Sequence, residues 1–121
     1  MIKVVLGLII ILNIAGTAAF SQWSVTSQIS ANELGSYPSI SVPNCSTIVV
    51  CGGATNSPRV FLSTNSGLNF ANITGNITGA ELYTISALNK DTIFAGDGGN
   101  PGGTGGNAKV YKTTNGGMNW T

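Results

Sequence analysis

Thr113-Thr114-Asn115-Gly116-Gly117-Met118-Asn119-Trp120 restates, fifty residues downstream, the stretch Ser63-Thr64-Asn65-Ser66-Gly67-Leu68-Asn69-Phe70. Both read hydroxyl, x, Asn, small, Gly, apolar, Asn, aromatic. Each has the chemistry of a tight connection between antiparallel strands. The Asn side chain hydrogen-bonds backbone two residues on, and Gly supplies the positive φ of a bulge that closes the turn. The hydroxyl of Ser63 or Thr113 offers a further local partner for turn amides. Phe70 and Trp120 are expected to open the next strand and bury their rings, anchoring the turn to its sheet. A single copy would describe any surface hairpin. Two copies ending in an aromatic at the same spacing describe a repeat, and a period of this size belongs to stacked supersecondary units.

Outward from the octapeptides the pattern keeps phase. Residues 47–51 (Thr-Ile-Val-Val-Cys) and 92–96 (Thr-Ile-Phe-Ala-Gly) are β-branched and aromatic runs that read as buried strands, offset by 45. Residues 59–63 and 109–113 are the strands that enter each octapeptide, offset by 50. The extra five residues fall in the glycine-rich loop 97–107, as an insertion into a connection should. Residues 39–42 and 82–87 are expected to be strands, with turns at 43–46 and 89–91. Gly52-Gly53 is expected to end its strand, 54–58 to form a connection, and 33–38 to be loop. Residues 70–73 and 23–26 match as strands that follow an octapeptide position, and 23–29 as a whole alternates weakly. Each unit is thus a four-stranded antiparallel meander, and such units repeated every 40 to 50 residues form the blades of a β-propeller. The expected fold is all-β: about two blades of an incomplete propeller over residues 22–121, with an N-terminal strand of the kind that closes a ring. Propellers carry four to eight blades, so the chain reads as an N-terminal fragment of a longer protein.

Residues 1–21 read as a signal peptide, with Lys3 as the positive region, an apolar run over 4–12, and Ala19-Phe20-Ser21 before the cleavage point. The apolar run is short for a membrane span; an uncleaved anchor is the alternative. The implied location is secreted, cell-surface or periplasmic, away from the membrane after cleavage. Beyond the leader, four basic residues (Arg59, Lys90, Lys109, Lys112) face four acidic ones (Glu33, Glu81, Asp91, Asp97). No basic patch is available to neutralise phosphates, which excludes a nucleic-acid-binding reading. Cys45 and Cys51 are the two cysteines. Export permits a disulfide, but an extended strand between them spans about 20 Å, whereas a bridge needs Cα atoms within about 7 Å. The strand is preferred to the bridge.

The octapeptides resemble the Asp-box, or BNR repeat, with its pattern Ser-x-Asp-x-Gly-x-Thr-Trp. Ser63, Asn65, Gly67 and Phe70 occupy the four marked positions of one copy, and Thr113, Asn115, Gly117 and Trp120 those of the other. The departures are Asn for Asp, Asn69 and Asn119 for Thr, Thr113 for Ser and Phe70 for Trp. Each keeps an acceptor, a polar group or a ring. The resemblance implies a propeller of the sialidase and sortilin superfamily, in which the box is a structural turn rather than an active site. WD40 repeats want Gly-His and Trp-Asp pairs, absent here. Kelch repeats are the second choice: Ile48-Val49-Val50-Cys51-Gly52-Gly53 fits their first half, while the Tyr111 and Trp120 spacing fails the second.

No catalytic set is expected. The chain contains no His, which removes Ser-His-Asp, Cys-His and the usual zinc schemes. The resemblance to sialidases implies three clamping arginines and a Tyr–Glu pair, yet Arg59 is the sole arginine. Nothing in the spacing pairs Glu33, Glu81, Asp91 and Asp97 as a glycosidase requires, and Asp91 reads as a turn residue. The loop 97–107 lacks the Gly-Lys-Ser/Thr of a phosphate loop and echoes a calcium nonapeptide in a single copy, so it reads as filler; no cofactor or metal is expected. Asn44, Asn72, Asn76 and Asn119 start N-x-S/T triplets, which coincidence explains in an Asn-rich chain. In a meander the octapeptides and the 89–91 turn share one rim; the 97–107 loop and the 30–37 and 74–81 segments share the other. Loop lengths vary on that second rim, so a protein or glycan ligand is expected there. The functional expectation is a binding or scaffold module. The alternative is the N-terminal part of an Asp-box glycoside hydrolase whose catalytic residues lie in further blades.

Overall fold

The computed structural model describes residues 28–54, 56–99 and 108–121. The leader, most of the 23–29 strand, Thr55 and positions 100–107 of the glycine-rich loop lie outside the described residues. The first unit holds a single helical turn α1 (Ala31–Leu34) and strands β1 (Ser39–Ser41), β2 (Ile48–Ala54), β3 (Ser57–Ser63) and β4 (Ala71–Asn72). The second holds β5 (Leu82–Ala87), β6 (Ile93–Asp97) and β7 (Lys109–Thr113). Among the described residues these make a four-stranded sheet in the order β1-β2-β3-β4 and a three-stranded sheet in the order β5-β6-β7, all neighbours antiparallel.

The two sheets share one register. Ile48 pairs with Ser63 in the first, and Ile93 with Thr113 in the second. After Trp120, Thr121 and Lys112 exchange both backbone hydrogen bonds, at 2.9 and 2.8 Å. That pair occupies the place of Leu62 and Ala71 in the first sheet, so the chain resumes a fourth position at its last residue. The turns that lead into β2 and β6 are closed alike: the Asn44 side-chain oxygen accepts from the Ser46 and Thr47 amides, and that of Asn89 from the Asp91 and Thr92 amides.

Three expectations need correction. Residues 31–34 form a helical turn, held by the Glu33 amide on the Ser30 carbonyl at 2.9 Å, and Gln28 and Ile29 before it are not strand. Gly52-Gly53 does not end its strand: β2 runs through both to Ala54 and β3 begins at Ser57, so Ala54, Ser57 and Pro58, expected in the 54–58 connection, are paired in the ladder. The reason is close approach. A Cβ on Gly52 would sit 2.2 Å from the Leu34 carbonyl oxygen of α1, and one on Gly53 (φ 120°) would sit 2.2 Å from the Ser57 oxygen. Glycine is needed there so that another backbone can lie against the strand.

Alternation along the strands sorts side chains into faces. Val49, Cys51, Val60 and Leu62 share one face of the first sheet. Ile85, Ile93, Ala95 and Tyr111 share the facing side of the second, and Leu82, Ile77, Ala80 and Trp120 join them in one core. Full burial of each of the aliphatic side chains Val49, Val60, Leu82 and Ile93 contributes about 1.5–3 kcal/mol. The edge strand β5 is tied to the first sheet by side chains. Ser39 Oγ accepts the Ile85 amide at 3.3 Å, and Ser41 Oγ the Ala87 amide at 3.0 Å. Among the described residues no buried side-chain nitrogen or oxygen lacks a partner. Both cysteines are free thiols, Cys45 exposed in its turn and Cys51 buried in β2.

Candidate functional site

The octapeptide positions form two turns with one set of hydrogen bonds. Ser63 Oγ accepts the Gly67 amide at 2.9 Å, and Thr113 Oγ1 the Gly117 amide at 3.0 Å. Each hydroxyl donates to the Asn side-chain oxygen two residues on, at 2.9 Å in both turns. The same oxygens of Asn65 and Asn115 accept the Asn69 and Asn119 amides at 3.0 Å. Gly67 and Gly117 take φ of 85° and 83°, the left-handed region that glycine enters without cost from a Cβ. Ser63 and Thr113 are buried, so their oxygens would be costly to leave without donors. Each turn also leans on its neighbour: the Ser66 amide donates to Ser46 O, and the Gly116 amide to Asp91 O. Asp91 itself sits in that turn, its carboxylate paired with exposed Lys90.

The aromatic residues that end the two turns differ. Trp120 is 4% exposed and clasped by the connection after β4. Its Nε1 donates to Ile73 O at 3.0 Å, its amide to Asn76 Oδ1 at 2.7 Å, and its carbonyl accepts from Asn76 Nδ2 at 2.9 Å. Gly75 and Gly117 let the two backbones meet, since a Cβ on either would fall 2.5 Å from a carbonyl oxygen of the other segment. Phe70, expected to bury its ring, is only half-buried, and it borders an open groove with Gln28, Ile29, Glu33 and Phe61. Neither aromatic lies in a strand; β4 begins one residue after Phe70. Asn76, which reads as part of a glycosylation triplet, is instead the amide that holds Trp120.

The opposite rim gathers a different chemistry. Tyr37 and Tyr83 stack with ring centroids 5.0 Å apart and planes 25° from parallel. Tyr37 stays 54% exposed. Asp97 is buried at the end of β6 and orders this corner: its Oδ1 accepts the Glu81 amide at 3.3 Å and the Gly99 amide at 3.0 Å. Gly98 packs on the Tyr83 ring, where a Cβ would stand 2.6 Å from Cδ2. Beside them lies an open groove of about 290 Å³ lined by Tyr83, Thr84, Gly96, Asp97, Gly98 and Lys109, among others. Desolvation, then the negative charge and hydrogen bond of Glu81, hold the Tyr83 phenol above its ordinary pKa.

Chemically, this corner can stack and hydrogen-bond a ligand. None of the strands β5, β6 and β7 carries an arginine to clamp an anion. Among the described residues, no three His, Cys, Asp or Glu side chains come together. Sequence reasoning placed variable loops on this rim but missed the tyrosine pair and the anchoring role of Asp97. The signal for Asp97 was the Asp-Gly-Gly that ends β6, a side chain able to cap its own turn. Compared with known proteins, the chain matches no family model, no curated protein and no solved structure.

Proposed function

We propose that the chain is a segment of an exported Asp-box-type β-propeller, and that it serves as a non-catalytic module binding a protein or a glycan on the rim that carries Tyr37 and Tyr83. The observation that supports the architecture is the pair of octapeptide turns, which repeat the same hydrogen bonds at matching positions. The observation that supports the binding rim is the exposed aromatic stack beside a groove with Asp97 and Lys109. Ligand sites combine apolar rings with a few placed polar groups in this way.

A glycan array followed by calorimetry on the best hit, and a pull-down from the extracellular milieu, test the reading. Binding should fall more than about tenfold in Tyr37→Ala, the size of a lost aromatic anchor. The variant should keep its strand content. Turnover of an aryl glycoside by the protein, or a ligand indifferent to Tyr37, would overturn it in favour of the hydrolase or of a different face.

A further inference from the structure

Asn115-Gly116 is the sole Asn-Gly pair of the chain, and it stands inside the second octapeptide turn. Asparagine is a thermolabile residue. A following glycine exposes it most, because no Cβ hinders the backbone nitrogen from reaching the side-chain carboxamide. The reaction needs no partner but water. The Gly116 nitrogen, its proton removed, attacks Asn115 Cγ. The N–Cγ bond forms, the Cγ–Nδ2 bond breaks, and ammonia leaves, the proton lost by Gly116 returning through solvent to the departing nitrogen. Water then opens the five-membered imide. Cleavage of the new bond leaves aspartate; cleavage at the backbone carbonyl leaves isoaspartate, with one more carbon in the main chain.

The fold holds the reacting groups. The Gly116 amide donates to Asp91 O at 3.1 Å, so its proton is not open to a base. The Asn115 carboxamide is oriented by two donors on Oδ1, Thr113 Oγ1 at 2.9 Å and the Asn119 amide at 3.0 Å. Asp91 is set in turn by Asn89, whose side-chain oxygen accepts the Asp91 and Thr92 amides at 2.9 and 2.8 Å. Asn115 is nonetheless exposed, so water reaches it and burial is not what protects it. We infer that Asn115 is a self-modification site gated by the contact between the 89–91 turn and the octapeptide. It is silent while Gly116 is bound to Asp91 and loses ammonia when that contact opens. Release of such an amide proceeds through local opening, and the rate follows the population of the open form. The two products diverge. Aspartate keeps an oxygen for Thr113 and Asn119, whereas isoaspartate lengthens the path between Thr113 and Gly117 and opens the turn that joins them. The first turn carries Ser66 in place of Gly116, and its side chain hinders the same attack on Asn65. The inference is independent of any ligand.

Intact-mass and peptide-map spectrometry of the purified protein, kept at mildly alkaline pH with and without denaturing guanidinium chloride, tests it. In denaturant Asn115 should convert ahead of Asn65, and the folded protein should convert Asn115 more than about tenfold more slowly. Asn89→Ala loosens the acceptor turn without touching the reacting pair. It should speed conversion in the folded protein about fivefold, the weight of one turn hydrogen bond, and should quicken hydrogen exchange of the Gly116 amide by the same factor. Asn89→Asp should restore protection. If Asn89→Ala fails to fold, sub-denaturing guanidinium replaces it, and conversion should track Gly116 exchange as opening rises. Equal rates at Asn115 in folded and unfolded protein, or conversion that stays slow while Gly116 exchange quickens, overturn the inference.

Discussion

Trp120 and Phe70 end the same turn, and only one of them is locked. The turns themselves match hydrogen bond for hydrogen bond, so the difference lies in what each ring meets. Trp120 meets a connection whose Asn76 clasps its amide and carbonyl and whose Ile73 oxygen receives the indole N–H. The residue in the place of Asn76 one unit earlier, with Phe70 matched to Trp23, is Ile29. An isoleucine has neither donor nor acceptor to offer, and a phenylalanine has no N–H to give. A repeat therefore copies its turns faithfully while its sockets depend on residues outside the repeated motif.

The largest effect should come from the rings. Trp120→Ala should cost about 3–5 kcal/mol in urea unfolding, as for other buried aromatics. Phe70→Ala, removing a half-buried ring, should cost about 1–2 kcal/mol. Equal losses would erase the distinction between the sockets.

Next comes the titration of a thiol that only the first sheet carries. Burial pushes the Cys51 thiol from 9.0 up to about 11, whereas the matching position in the second sheet is Gly96. Above pH 9 the unfolded chain releases a proton that the folded one keeps, so stability is full below that pH and falls as pH rises towards 11. The loss is up to about 3 kcal/mol. Cys51→Ala should abolish this component of the fall when denaturant midpoints are compared at pH 8 and pH 11.

Ser63→Ala and Thr113→Ala should each cost about 1–3 kcal/mol, because each removes a buried hydroxyl that accepts a glycine amide and donates to the turn asparagine. Matching values for the two would sharpen the claim that the turns are equivalent. The smallest effect is expected for Gly116→Ser. Ser66 already holds φ 60° at that place in the first turn, Gly116 has φ 67°, and a Cβ there finds its nearest neighbour at 3.5 Å. Its cost in the same unfolding assay should stay within about 1 kcal/mol.

The strands and turns were legible because their causes are local. Residues 48–50 and 92–94 are β-branched or aromatic runs, and Asn44, Asn65, Asn89 and Asn115 each hydrogen-bond backbone within four residues. The octapeptide spacing likewise carried through to a shared register. What sequence could not reveal depends on distant chain. Gly52 and Gly53 read as a stop, yet they remain strand because α1 and the start of β3 press on them. Asn76 binds a residue 44 positions away. Tyr37 and Tyr83 stack only because the two sheets adjoin. The serines of β1 did leave a trace, in the recurrence of Ser-x-Ser as Thr-x-Ser, but its meaning needed the geometry of β5.

Asparagine rather than aspartate holds the corners at Asn44, Asn65, Asn89 and Asn115. Four carboxylates in those places would crowd like charge along one border and would take up protons as the medium sours. Neutral amides do neither. These corners should hold their shape across an acid range in which carboxylate-pinned turns would begin to loosen.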